Sequence, residues 1–340
     1  IVSGNDAAMP ILGYSFENEF KEDGLPVQLD WMFEQYKDEI KALYVNNSIG
    51  TDEIRQKWDL YSNYFDYQPS RSVQPLLSCN WDQGSPWNDM CPEDSDGPGG
   101  NVLVGCVAVS MAQVMYYWGY PQVGSGDHSY NHWSYGYQYA NFQDAFYDYD
   151  NMADNYGTDA TALLLYHAGV SVNMGYGVDG SGASVFGSNP STYYAMRNYF
   201  LFKNTMNQVF PEDYSDSVYR AILQEDLDNN RPIIYVGYSN DGGHAWNIDG
   251  YDEDYFHCNW GWGGYQNGYF LLSSLNGFNS GQGAIVNIEP QSLDVPNLIM
   301  TSSNLYELSG DGDGVVNPGE MVAIDITIEN FVPWEDAQDI

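Results

Sequence analysis

Cys106 is the residue from which a chemistry can be built. It stands in Val104-Gly105-Cys106-Val107-Ala108, where a helical apolar pattern through Met111, Val114, Met115 and Trp118 begins. A thiol at a helix N-terminus meets free N–H groups and the positive end of the helix dipole, which pull its pKa down and make it a nucleophile. The same N–H groups can hold an oxyanion. The competing reading is an inert cysteine packed against Met111. A thiol nucleophile needs a base, and His244 is the best placed of the five histidines. It follows Asp241-Gly242-Gly243 and starts the strand-like Ala245-Trp246-Asn247-Ile248, so it can face a cleft. His128 and His132 fall in a Tyr/Trp-rich loop and read as packing or surface residues. His167 lies on an apolar helix face, and His257 fits either role.

The base needs an orienting group. Asn259-Trp260-Gly261-Trp262-Gly263-Gly264 offers an Asn side-chain oxygen for an imidazole N–H and a Trp ring to shield that bond from water. A Gly-rich hairpin with packed tryptophans is the plainer reading of the same run. The amide of Gln83, in Trp81-Asp82-Gln83-Gly84-Ser85-Pro86-Trp87-Asn88, is a second oxyanion donor beside the Cys106 N–H. Near the C-terminus, Asp311, Asp313 and Glu320 alternate with glycines in a pattern that suits calcium, although the run is too short for an EF-hand. A Gly/Asn turn is the alternative there.

The elements that must carry these residues change character along the chain. Residues 1–72 hold a helical pattern (Leu29, Trp31, Met32, Tyr36, Ile40, Leu43) and six of the ten basic residues. The central zone, 73–288, gives helices from Cys106, over Asp159–Ala168 and over Ser215–Asn229. Strands then follow at 232–236, 245–248, 255–259, 268–272 and 284–288. Helices first and strands later argue for an α+β fold rather than a doubly wound one. A linker at 289–298 precedes residues 299–340, where Val322, Ile324, Ile326 and Ile328 alternate with polar residues as in a β-sandwich strand. Too few residues remain to close a sandwich, so this is expected to be the truncated start of a domain in a longer protein.

Composition narrows the partners. Asp and Glu outnumber Lys and Arg by 47 to 10, a net charge of −37, and residues 72–196 and 232–340 contain no Lys or Arg. Such a surface repels phosphate backbones and anionic lipid, which excludes nucleic-acid binding as a reading. No apolar run is long enough to span a membrane. Four cysteines are too few for a disulfide scaffold; if one is a nucleophile, at most one bridge can form, and Cys79 and Cys91 are the nearest pair.

Taken in order, Gln83-Gly84-Ser85-Pro86-Trp87-Asn88, Gly105-Cys106-Val107-Ala108 with Ala112-Gln113 and Met115, Gly242-Gly243-His244-Ala245, and Asn259-Trp260-Gly261-Trp262-Gly263-Gly264 resemble the streptopain family of cysteine peptidases, distant relatives of papain. The likeness covers residues 73–288 and includes Ala168–Gly177; the papain-type Cys-Gly-Ser-Cys-Trp signature is absent. The resemblance implies a papain-like two-lobed fold, a helical lobe plus an antiparallel β lobe, with the active site between them. It implies Cys106 as nucleophile, His244 as base, Gln83 as oxyanion donor, Asn259 as orienting residue and Trp260 as its cover. Tyr176, Ser181 and Ser184 would line the substrate side. It also implies a secreted zymogen. Pro10-Ile11-Leu12-Gly13-Tyr14-Ser15 is similar to the end of the family's propeptide, so residues 1–72 are expected to be propeptide and activation segment, cleaved between Tyr67 and Leu76 and inhibiting the enzyme until then. The expected function is a secreted endopeptidase acting on proteins or peptides without a cofactor, apart from structural calcium in the C-terminal part. A Cys-His cell-wall amidase and a non-catalytic polysaccharide-binding protein are the rival readings.

Overall fold

Val, Ile, Tyr, Phe and Trp crowd the chain after Pro232, and side chains of this kind pack well on a pleated surface. The computed structural model describes residues 1–17, 27–63, 71–239, 242–275, 278–291, 298–309 and 321–330. It begins with strand β1 (Gly13–Tyr14), helices α1 (Val27–Val45) and α2 (Asp52–Asn63) and strand β2 (Ser72–Val73). Helix α3 (Cys106–Trp118), the hairpin β3 (Asp127–His132) and β4 (Gly136–Asn141), α4 (Asp159–Ser171) and α5 (Thr192–Asn198) form the middle. Then come β5 (Asn207–Val209), α6 (Asp216–Asp228), β6 (Ile233–Ser239), β7 (Gly242–Asp252), β8 (Tyr255–Asn259), β9 (Gly268–Leu271) and β10 (Ser280–Val286). These make one antiparallel sheet in the order β1-β9-β8-β7-β6-β10-β5, with β2 paired to the end of β7. The mixture of helices and antiparallel strands is the expected α+β arrangement.

Helix α3 is buried along nearly its whole length, with only Tyr116 and Tyr117 partly open. A helix apolar on all sides belongs inside, and α3 packs on α4 and α5 as well as on β6 and β7. Val107, Val109, Met111, Val114 and Met115 are all at or below 3% exposure, each worth about 1.5–3 kcal/mol of burial. Gly119, in the left-handed conformation at φ 55°, ends the helix by donating to the Met115 and Tyr116 carbonyls. Thr158 starts α4 by accepting from the Thr161 N–H at 3.2 Å. The segment holding His128 and His132, read from sequence as a loop, forms the β3–β4 hairpin instead. Its alternation is of Tyr and His with Ser, Asn and Gln, so it lacks the apolar signal by which strands are recognised.

The chain divides into two compact units, Ile1–Glu289 and Pro290–Ile340. The second contains an antiparallel pair, β11 (Leu298–Ser309) with β12 (Met321–Asn330), which includes the alternating run expected at 322–328. Asp311, Asp313 and Glu320 lie outside the described residues, as do parts of the expected linker and of the expected cleavage region. All four cysteines are buried and free, so Cys79 and Cys91 are not bridged.

The N-terminal residues belong to the first unit. Strand β1 pairs with β9, Tyr14 donates to Asp252 at 2.6 Å, and Ser15 donates to the Asn267 carbonyl at 2.6 Å. Glu17 reaches His257 on β8, with Oε1 2.7 Å from Nε2, while Asp249 on β7 holds Nδ1 at 2.6 Å. His257 is therefore a core histidine, 2% exposed, between two carboxylates. Burial alone would push its pKa down, but Asp249 and then Glu17 outweigh it and hold the imidazolium to about 9. A raised pKa gives stability that is complete below the unfolded value near 6.5 and is lost as pH rises through about 9. The expected outcome is a melting temperature that falls between pH 7 and pH 10 in the wild type and falls less in Glu17→Gln. Equal slopes in calorimetry would show that Glu17 contributes nothing to the pH dependence.

Candidate active site

Cys106 is delivered to the start of α3 by a segment clamped on two sides. Val104 N–H donates to the Gln83 carbonyl at 2.9 Å, and Leu103 N–H donates to the Gly177 carbonyl at 3.2 Å. Ser181 Oγ donates to the Leu103 carbonyl at 2.6 Å. Gly105 turns the chain into the helix at φ 94°, and a Cβ there would stand 2.7 Å from the Met174 sulfur and 3.1 Å from Ser181 Cβ. Both constraints demand glycine. The Cys106 sulfur accepts from the Ala245 N–H at 3.5 Å. Ala245 adjoins His244 in β7, so this contact brings the thiol beside the expected base.

The thiol pKa is raised, contrary to the expectation from its helix position. Burial is the largest effect; the N–H groups of Ala245, Val107 and Cys106 itself oppose it without overcoming it. His244 is also desolvated. Its ring lies 4.7 Å from that of Trp262, 5.4 Å from Phe278, 5.9 Å from Trp246 and 6.1 Å from Trp260. Burial lowers its pKa to about 4, with the Trp260 carbonyl opposing. At neutral pH the thiol and the imidazole are both uncharged. His244 Nε2 lies 3.0 Å from the Trp260 carbonyl oxygen. A carbonyl only accepts, so Nε2 carries the proton and Nδ1 keeps the lone pair that a base needs.

The hydrogen-bond partner of His244 is thus the backbone of Trp260 and not the Asn259 side chain expected there. Asn259 Oδ1 accepts from Gln113 Nε2 at 3.2 Å and from the Gly261 N–H at 3.3 Å, while its Nδ2 donates to the Cys79 carbonyl at 2.8 Å. Gln113 Oε1 in turn accepts from Asn247 Nδ2 at 2.9 Å, and Asn247 Nδ2 also reaches the Ser110 carbonyl at 3.2 Å. Gln113, Asn247 and Asn259 are each at or below 1% exposure. Trp260 N–H donates to Asn267 Oδ1 at 3.1 Å, which steadies the carbonyl beyond it.

Gln83 is half-buried and is tied to the Cys106 segment through its carbonyl; the Trp-Gly loop docks beside it, with Gly263 N–H donating to the Trp81 carbonyl at 3.0 Å. Trp260 stacks near His244, but Trp262 stacks closer, and nothing in the sequence run distinguished the two rings. The expected substrate-side residues separate. Tyr176 is 3% exposed, with its ring packed in the interior. Ser181 uses its hydroxyl to hold Leu103, a structural tie. Ser184 is exposed. No group of three or more His, Cys, Asp or Glu suited to a metal occurs among the described residues.

Because the amide network is fully buried, Asn259→Ala is expected to cost about 1–3 kcal/mol while leaving the pH profile of the remaining activity unchanged. Denaturant unfolding and a pH–rate curve check both halves; a shifted curve would return the orienting role to the side chain.

Comparison with known proteins adds independent findings. A model of the Peptidase C10 family matches residues 81–270. Streptopain of Streptococcus pyogenes is 30% identical over 325 residues, covering 85% of this chain and 78% of that protein. The thiol protease/hemagglutinin PrtT of Porphyromonas gingivalis is 27% identical over 334 residues, covering 88% of this chain and 36% of that protein. Among solved structures, a fragment of Prevotella intermedia prointerpain A has a TM-score of 0.68 at 28% identity and covers 85% of this chain and 92% of its own. Active interpain A cysteine protease from the same organism has a TM-score of 0.57 at 31% identity and covers 64% of this chain and 95% of its own.

Proposed function

The chain belongs to the peptidase C10 family and is a cysteine peptidase, and on that premise we propose that Cys106 and His244 carry out peptide-bond hydrolysis. The observation that carries this reading is the pairing of two contacts: Ala245 N–H on the Cys106 sulfur, and the Trp260 carbonyl on His244 Nε2. His244 Nδ1 takes the thiol proton as the sulfur attacks the scissile carbonyl carbon. The Cys106 N–H and the Gln83 amide hold the resulting oxyanion. Collapse to the thioester expels the amine, which leaves with the proton from His244. Water then attacks the thioester, giving its proton to His244, and the carboxylate product leaves as the thiol is restored. Creating a lone charge inside the aromatic enclosure is unfavourable, so the proton moves as the carbon–sulfur bond forms, and the imidazolium appears together with the oxyanion that balances it.

The finer picture is a papain-like two-lobed body, with α3 to α5 on one side of the nucleophile and the sheet on the other. Residues 1–72 are read as propeptide and activation segment, 73–288 as the catalytic domain, 289–298 as linker and 299–340 as the start of a β-sandwich-like domain. The prointerpain A fragment covers 85% of this chain against 64% for interpain A, which favours a precursor form. The docking of β1 on β9, with Glu17 on His257, gives the N-terminal segment a place to remain until cleavage. The acidic composition suits a secreted enzyme. The reaction as written uses no cofactor, and calcium at Asp311, Asp313 and Glu320 would be structural.

The test is a timed incubation with reductant, read by intact mass, of the wild type beside Cys106→Ala. Trimming near residues 67–76 and casein hydrolysis are expected in the wild type, and a loss of at least about 1000-fold in the mutant, which should melt as the wild type does. A mutant that keeps more than a few per cent of the rate removes Cys106 from the mechanism.

A further inference from the structure

Trp133 is 80% exposed, yet its ring is held. It occupies the turn of the β3–β4 hairpin, between His132 and Gly136, which pair across the strands. His132 is 3% exposed, and its Nδ1 accepts from the N–H groups of Ser134 and Tyr135, both at 3.1 Å, so the turn has one shape. The Trp133 ring lies tilted against the His132 ring at 4.0 Å, and the Tyr135 ring stacks on His132 at 5.1 Å. The hairpin is bolted to the chain that runs toward the nucleophile. His128 Nε2 lies 2.6 Å from Asn173 Oδ1, and Tyr130 donates to the Met174 carbonyl at 2.5 Å.

From there the path to the reacting sulfur is short. The edge of the indole lies against Gly175, where a Cβ would be 2.9 Å from Trp133 Cη2. Gly175 and Gly182 exchange two backbone hydrogen bonds, at 2.9 and 3.3 Å. Met174 and Ser181, the residues beside these glycines, are the two that crowd Gly105, the neighbour of Cys106. Around Gly182 and Gly180 there is open space, with nothing within 4 Å of an added Cβ. An indole therefore stands fixed and uncovered on the wall that adjoins the nucleophile. A large ring left in water forgoes its burial, whereas a preordered one binds a partner at little cost in entropy.

The charge around it selects the partner. Residues 72–196, which contain the hairpin and the wall, carry no Lys or Arg. Asp94 is bound to the turn itself, accepting from the Tyr135 hydroxyl at 2.8 Å, and Asp179 lies in the 175–182 loop. A Trp face in a negative field attracts a cation, and a guanidinium can stack on it as well.

We propose that Trp133 is a specificity-determining residue that receives an arginine or lysine side chain of the bound polypeptide, at a position other than the one whose bond is cut. The inference rests on Cys106 being the nucleophile. The test uses the full chain after incubation in reductant, with fluorogenic peptides in which a single arginine is moved along the sequence and replaced at each place by citrulline or norleucine. At one position arginine should raise kcat/KM about 3- to 30-fold over both replacements, through KM, and the advantage should shrink in high salt. Trp133→Ala should erase that ratio, read within the variant as kcat/KM on the arginine peptide over that on the norleucine peptide, and Trp133→Phe should keep part of it. An arginine advantage that survives in Trp133→Ala, or norleucine serving as well as arginine at every position, overturns the proposal. Cys106→Ala run on the same peptides reads the nucleophile separately: hydrolysis there would sink that assignment instead.

Discussion

Three buried side-chain amides set the geometry on which everything else depends. Gln113 on α3 bonds to both Asn247 on β7 and Asn259 on β8 in a fully buried core. Gln113 stands two helical turns after Cys106, on the same face of α3, with Ser110 between them also touching Asn247. Asn247 stands two residues after Ala245, on the same face of β7. One register between helix and strand therefore joins Gln113 to Asn247 and at the same time lays the Ala245 N–H on the Cys106 sulfur. A slip of one residue in either element would leave several buried polar groups unpaired, at a cost comparable to a large share of a domain's net stability.

This polar seam lies next to an apolar enclosure, and the contrast decides the state of the reacting groups. Four aromatic rings surround His244 within 6.1 Å. The thiol is buried deeply enough that its helix N-terminus does not prevail. Helix dipoles and N–H groups act within a turn, whereas desolvation acts on the whole charge. Burial therefore acts against charge on either group. His257, only 13 positions further on, sits in an equally dry place but meets two carboxylates and is held charged. The same side chain at the same depth takes opposite protonation states according to what faces it.

Much of this was legible in the sequence, and the failures have physical causes. The strands from Ile233 onward and helix α3 announce themselves because their apolar periodicity is what burial selects. The β3–β4 hairpin does not, because aromatic polar residues there serve contacts with Asn173 and Met174 rather than a continuous core. Asn259 was a reasonable orienting candidate by residue type, but a side-chain amide finds whichever partner the fold presents, and Gln113 lies nearer in the seam. Tyr176 belongs to a motif that forms the wall, yet the ring turns inward. The depth of the thiol is a tertiary property, with no counterpart in local sequence.

The acceptor that fixes His244 is a main-chain carbonyl. Every amino acid at position 260 would supply it, so no single codon change can delete it, and a scan of side chains would pass over the position's orienting role altogether. What such a scan would register at Trp260 is the loss of a ring from the enclosure. The alignment of the base is entrusted to the path of the chain, held by Asn267 and by the left-handed glycines at 261, 263 and 264. How this imidazole is aimed is therefore written in glycines and in Asn267, not in the side chain of the residue that touches it.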